Sequence, residues 1–210
     1  MTQDAVIERA RALAVPGQRH TLGIAGAPGA GKSTLAEAIV AALAPAAVLV
    51  PMDGYHLAND ELAALGRGER KGAIDTFDDA GYAALLRRLV DQRRDETVYA
   101  PRFDRSLEES LAGSIRITAE VPLVVTEGNY LLSDVGWWPV ARACLDECWY
   151  LDTDIDLRHA WLVARHEAYG KDPQSARHWA LVRDEANARL IQSSAHRADL
   201  RVRLPLDPGR

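Results

Sequence analysis

Gly26-Ala27-Pro28-Gly29-Ala30-Gly31-Lys32-Ser33 fills every fixed position of the phosphate-binding pattern G-x-x-x-x-G-K-[ST]. Its glycines let the backbone turn tightly and carry successive N–H groups toward phosphate oxygens. In such a loop Lys32 reaches the outer phosphates of a nucleoside triphosphate, and the Ser33 hydroxyl binds the accompanying magnesium ion. With Thr34, which follows at once, these residues form the expected nucleotide contact.

The flanking sequence supplies the context that the pattern requires. His20-Thr21-Leu22-Gly23-Ile24-Ala25 is a short, mostly apolar run of strand character. Ser33-Thr34-Leu35-Ala36-Glu37-Ala38-Ile39-Val40-Ala41-Ala42-Leu43 is rich in helix formers, with apolar residues at helical spacing. A strand, a tight loop and a helix in that order aim the free N–H groups and the positive end of the helix dipole at the phosphates.

Working outward, apolar strand-like runs alternate with helical patterns. Residues 4–14 read as a helix ended by Pro16-Gly17, and strands are expected at 47–52, 121–125, 148–151 and 200–204. Residues 79–93 carry Tyr82, Leu85, Leu86, Leu89 and Val90 on one helical face, and 155–168 and 173–192 read as further helices. Continuously apolar strands separated by helices predict an α/β protein with a parallel sheet covered on both faces. In such sheets ligands bind beyond the carboxyl ends of the strands.

The chain has 210 residues and a formal net charge of −5, fitting one domain with a sizeable core. That charge and the lack of a long basic run point away from nucleic acid, and no stretch approaches the length of a membrane span. Cys144 and Cys148 are spaced i, i+4 without a second pair, as expected for two reduced thiols in a cytoplasmic protein. Trp137-Trp138 beside Pro139 is an apolar cluster suited to a packed corner or to a homodimer contact.

Acids stand at three strand ends. Asp152 and Asp154 follow the 148–151 run and are expected to cap the next helix. Asp53 and Glu127 would both converge on the phosphate loop. One acid can serve magnesium, which takes hard oxygen ligands, and another can accept a proton from an attacking hydroxyl. Tyr55 and His56, just after Asp53-Gly54, offer hydrogen bonds and a stacking face to a small substrate.

Taken together, the loop, Met52-Asp53-Gly54-Tyr55-His56, Arg70-Lys71-Gly72, Asp75-Thr76-Phe77-Asp78, Tyr99-Ala100-Pro101-Arg102-Phe103-Asp104 and Thr126-Glu127-Gly128-Asn129-Tyr130-Leu131-Leu132 resemble the phosphoribulokinase/uridine kinase family in order and spacing, over about residues 20–203. The resemblance is strongest to the nucleoside/nucleotide kinase-like branch, sometimes labelled fructose-transport-associated kinase; type I pantothenate kinase is also similar. It implies a phosphate-loop three-layer α/β sandwich with a mostly parallel five-stranded sheet. One domain would span 1–210, with a helical lid at about 155–192. It implies an ATP- and Mg2+-dependent kinase acting on a small metabolite: a sugar, a nucleoside or a pantothenate-like compound.

By the same resemblance Asp53 is the catalytic base, Glu127 the magnesium acid, and Asp75 and Arg102 substrate contacts. Arg158-His159-Ala160-Trp161-Leu162-Val163-Ala164-Arg165-His166 is similar to the start of the kinase lid. Arg165 is its best candidate for the transferred phosphate, ahead of Lys171 and Arg177. One segment departs from the family. After Pro101, where uridine and pantothenate kinases carry a Tyr and a His, stands Arg102-Phe103-Asp104-Arg105. The added positive charge argues against both of those acceptors and for an anionic or polyhydroxylated one.

Two other classes compete. A switch GTPase needs an Asn-Lys-x-Asp segment and an ATP-binding cassette a Leu-Ser-Gly-Gly-Gln-type signature; neither occurs at a suitable place. A catalytically silent ATP-binding regulator would not need Lys32, Ser33, Asp53 and Glu127 together.

Overall fold

The computed structural model describes residues 1–204. Its centre is β1 (His20–Ala25), hydrogen-bonded in parallel to β5 (Leu123–Gly128) on one side and to β6 (Glu147–Leu151) on the other. β2 (Ala47–Leu49) pairs outside β5 and β7 (Leu200–Val202) outside β6, giving the order β2-β5-β1-β6-β7 with every pairing parallel.

The pleat divides the core into two layers. Leu22, Ile24, Leu123, Val125, Trp149 and Leu151 face α1 (Gln3–Leu13) and α2 (Lys32–Leu43), meeting Val6, Ala10, Leu35 and Ile39. Val124, Cys148 and Tyr150 face the other way, toward Tyr82, Leu86 and Leu89 of α4 (Asp79–Val90) and Trp138 of α5 (Trp138–Ala143). The expected three-layer α/β sandwich is therefore present. All six residues of β5 are buried, which is why its sequence lacks the polar alternation of a one-sided strand. Each fully buried Leu, Ile or Val contributes roughly 1.5–3 kcal/mol of transfer free energy.

Several boundaries differ from the sequence pattern. β2 stops at Leu49, and Met52–Tyr55 instead forms a 3₁₀ turn entered through Pro51, which has no N–H for a ladder. α4 ends at Val90 rather than 93. The region 173–192 is broken into α7 (Pro173–His178), a π-helical stretch Trp179–Arg183, and α8 (Asp184–Ser193). Asp154 caps α6 (Ile155–Ala168) by accepting from the Asp156 and Leu157 N–H groups, as expected, whereas Asp152 pairs with Arg203 at 2.7 Å. A short helix, α3 (Asn59–Ala64), precedes the Arg70 segment. Trp138 is core, while Trp137 is 48% exposed.

The sequence pattern did not reveal the antiparallel hairpin β3 (Thr97–Asp104) and β4 (Glu109–Thr118). Pro101 interrupts its first strand at a register shift, and most of the second faces solvent, so neither carries a clear alternation. The hairpin packs on the Met52–Tyr55 turn through Gly54: a Cβ there would lie 2.4 Å from the Pro101 carbonyl oxygen. No helix among the described residues is long and apolar enough to cross a membrane.

Gly54→Ala must therefore push hairpin and turn apart. A loss of about 1–3 kcal/mol in the urea unfolding free energy is expected, with the turn that carries Asp53 displaced.

Candidate active site

The parallel register sets the site. Ala25, the last residue of β1, lies opposite Gly128 of β5 and Tyr150 of β6, so three strands end along one edge. The phosphate loop leaves β1 at that edge, and α2 begins at Lys32. Gly29 adopts a φ of +75°, and a Cβ there would lie 2.5 Å from Leu162 Cγ of α6. The position thus needs glycine for its backbone angle and for the close packing of α6 on the loop.

Lys32 is buried; its ammonium donates to the Ala27 carbonyl at 3.1 Å and to Asn129 Oδ1 at 2.7 Å. Burial pulls its pKa below the usual lysine value, while the nearby charges of Glu127 and Asp53 oppose the shift. Ser33 donates to Glu127 Oε1 at 2.9 Å. Burial pushes the Glu127 carboxyl above the usual range, and the neighbouring Asp53 pushes it further. The Glu127 carboxyl, the Ser33 hydroxyl and the neighbouring Asp53 make a hard-oxygen set of the kind a magnesium ion takes. Among the described residues no three His, Cys, Asp or Glu side chains are grouped to hold a metal by themselves.

Asp53 lines a cleft of about 390 Å³ together with Ser33, Glu127, Arg102 and Arg105. Leu49, Pro51, Phe103 and Ile115 give it apolar walls, and Glu37 of α2 adds a further acid. Arg105 Nη2 lies 3.4 Å from Asp53 Oδ2, and Arg102 Nη2 lies 3.9 Å from Asp104 Oδ2.

The other expected substrate residues sit differently. His56 packs between Phe77 and Phe103, with ring centroids 4.1 and 4.7 Å away, and its Nδ1–H donates to the Asp53 carbonyl at 2.8 Å. It braces the Asp53 turn rather than lining the cleft. Tyr55 stands edge-on to Tyr82 at 5.4 Å, and burial pushes its hydroxyl up to about 12. Asp75 does not line the cleft either; Arg70 grips its carboxylate and Arg67 donates to its carbonyl.

On the lid side, Arg165 lies close enough that its charge, with that of Arg158, depresses the Lys32 pKa. Arg158 is buried, donates to the Pro28 carbonyl at 3.3 Å and pairs with Glu185 of α8. Lys171 stacks on Trp179 at 4.5 Å and Arg183 on the same ring at 4.2 Å, while Arg177 lines a separate groove of the lid. The contacts of Asn129, Arg105 and Arg158 were not assigned from sequence, where Arg105 was read only as added positive charge beside the acceptor. Asn129 and Arg158 lay inside quoted segments, but nothing local showed that they would meet Lys32 and Pro28.

A phosphate loop at the edge of this sheet order, with acids from two neighbouring strand ends, defines a phosphate-loop kinase. The chain belongs to the phosphoribulokinase/uridine kinase family, whose model matches residues 21–205. It is 34% identical over 145 residues to the ATP-dependent kinase-like protein notR' of Aspergillus versicolor, covering 65% of this chain and 84% of that one. It is 31% identical over 176 residues to a Schizosaccharomyces pombe protein provisionally named uridine kinase, covering 80% of this chain and 74% of the relative. The crystal structure of a protein from Silicibacter sp. TM1040, provisionally named fructose transport system kinase, superposes with a TM-score of 0.85 at 35% identity. The match covers 96% of this chain and 99% of that one.

The half-buried His56 predicts a pH effect on stability. Burial lowers its pKa from 6.5, so the unfolded chain takes up a proton there before the folded one does. This contribution is present above pH 6.5 and is lost as pH falls through the lower folded value. In His56→Gln, urea midpoints measured from pH 7.5 down to about 5 should fall less steeply than in the parent.

Proposed function

We infer that the protein transfers the γ-phosphoryl group of ATP to a hydroxyl of a small metabolite held in the Asp53 cleft. The observation that carries this is the convergence of Asp53, Glu127 and Ser33 on one cleft at the mouth of the phosphate loop. Family membership supports ATP as the donor. The free thiols Cys144 and Cys148 support a cytoplasmic setting.

The backbone N–H groups of residues 26–33 and the N-terminus of α2 would cradle the phosphates. Lys32, now turned back on Ala27 and Asn129, would exchange those partners for the outer phosphates. Ser33 and Glu127 would hold Mg2+, which when bound neutralises phosphate charge. Asp53 accepts the acceptor's hydroxyl proton as that oxygen bonds to the γ-phosphorus. The bond from phosphorus to the β,γ-bridging oxygen breaks, and ADP leaves. Arg165 meets the charge that spreads over the equatorial oxygens. Helix α6 shields the loop, and positioning and electrostatics supply most of the acceleration.

The test is ADP release from MgATP across a panel of hydroxyl acceptors. Asp53→Asn should lower acceptor-dependent turnover by about 10²–10⁴-fold while ATP binding stays near the parent level. Chelating the divalent cation should abolish turnover in both. Full turnover in Asp53→Asn would overturn the base assignment. Tight ATP binding with no acceptor-stimulated turnover would favour an ATP-sensing regulator.

A further inference from the structure

We propose that the acceptor carries an anionic group, a phosphate ester or a carboxylate, gripped by Arg102 and Arg105, and that this grip lifts Arg105 off Asp53. The proposal rests on the kinase reading of the site and narrows its substrate.

The first support is how these two arginines are partnered. Several arginines elsewhere are firmly paired: Arg9 holds Glu147 through three contacts of 3.0–3.2 Å, and Arg93 holds Asp95 at 2.8 and 3.1 Å. Arg70 likewise grips both oxygens of Asp75. Arg102 and Arg105 each make a single long contact to a carboxylate, at 3.9 and 3.4 Å, with side chains 59% and 45% exposed. A guanidinium offers five donors in a planar fork matched to carboxylate or phosphate oxygens. Most of those donors are free at the cleft wall.

The second support is the charge pattern. Besides these two arginines, the charged groups lining the cleft are the carboxylates of Glu37, Asp53 and Glu127. An anionic acceptor would be repelled from the acidic end and held at the hairpin end. That orientation leaves its hydroxyl toward Asp53 and the loop. The walls of Leu49, Pro51, Phe103 and Ile115 suit the short carbon skeleton between. A neutral polyol would leave both guanidiniums without a matching anion.

The third support is the place of Arg105. It sits on Oδ2 of the carboxylate that must receive the proton. While it stays there, Oδ2 is partnered by a cation rather than open to a water beside the γ-phosphate. An anion that draws the guanidinium away frees the carboxylate as the hydroxyl arrives. Recognition and activation then depend on the same contact, and ATP is protected from hydrolysis until the acceptor is in place. The hairpin is positioned for this by the approach of Gly54 to Pro101.

The experiment measures ADP release from MgATP by the full chain with matched acceptors. The pairs are ribose and ribose 5-phosphate, fructose and fructose 6-phosphate, and glycerol and glycerate, with uridine as a further neutral compound. The parent should favour a charged member over its neutral partner by about tenfold or more, and the phosphate and carboxylate arms show which anion is used. Arg102→Gln and Arg105→Gln should each raise the KM of that acceptor by about tenfold and leave the KM for ATP near the parent value. Arg105→Gln alone should also raise ATP hydrolysis without acceptor, a gain that simple damage to the fold would not produce. Turnover as good with the neutral partner, or an unchanged acceptor KM in both variants, overturns the proposal. If a neutral acceptor supports turnover as well as its charged partner does, and Asp53→Asn removes it, the kinase reading stands and the anionic class falls. If nothing supports turnover and Arg105→Gln does not alter hydrolysis, both fall.

Discussion

The contact between Ser33 and Glu127 at 2.9 Å ties the first turn of α2 to the end of β5, and the site is organised around it. It exists because β1 and β5 run parallel and in register, Ile24 opposite Glu127 and Ala25 opposite Gly128. A carboxylate in that position loses much of its hydration, and burial drives it toward the protonated form. Lys32 on the other side is driven toward neutrality by the same burial. Each charge is favoured by the other.

The position of Asp53 depends on a separate piece of the fold. Asp53 belongs to a short turn, not to a strand, and a turn needs bracing. His56 supplies it from one side through Phe77 and Phe103, and the hairpin closes in from the other through Gly54. The hairpin is not part of the parallel sheet. A change in its sequence can therefore alter the acceptor pocket while leaving the phosphate loop intact. That separation gives a physical reason why one phosphate-loop scaffold can serve different hydroxyl substrates.

Helices α6 and α8 are joined by paired side chains, and α6 meets the loop by packing and a hydrogen bond. Glu185 of α8 takes Arg158 and His159, and Asp184 takes His166 at 2.8 Å, so α6 and α8 are fastened along one seam. Arg158 in turn reaches the Pro28 carbonyl. Arg158 thus links Glu185 of α8 to the glycine-rich loop. Arg183 extends the seam to Glu69, in the segment between α3 and α4.

The sequence by itself determined the phosphate loop, the strand–loop–helix around it, the buried parallel strands and the acids at their ends. Those features are local: spacing, apolar runs and glycine at fixed offsets are written in neighbouring residues. It also held the capping role of Asp154, for the same reason. Only the tertiary structure decided which of the candidate polar residues meet. Asn129 reaches Lys32 across 97 positions of chain, Arg105 reaches Asp53 across 52, and Arg158 reaches Pro28 across 130. It set His56 and Asp75 apart from the cleft that Arg102 lines, although all three lie in segments of similar promise. The hairpin was hidden because Pro101 and solvent exposure erase the alternation by which a strand is recognised. Partners so distant in sequence are chosen by register, twist and close backbone approach, and none of these leaves a periodic trace in the residues themselves.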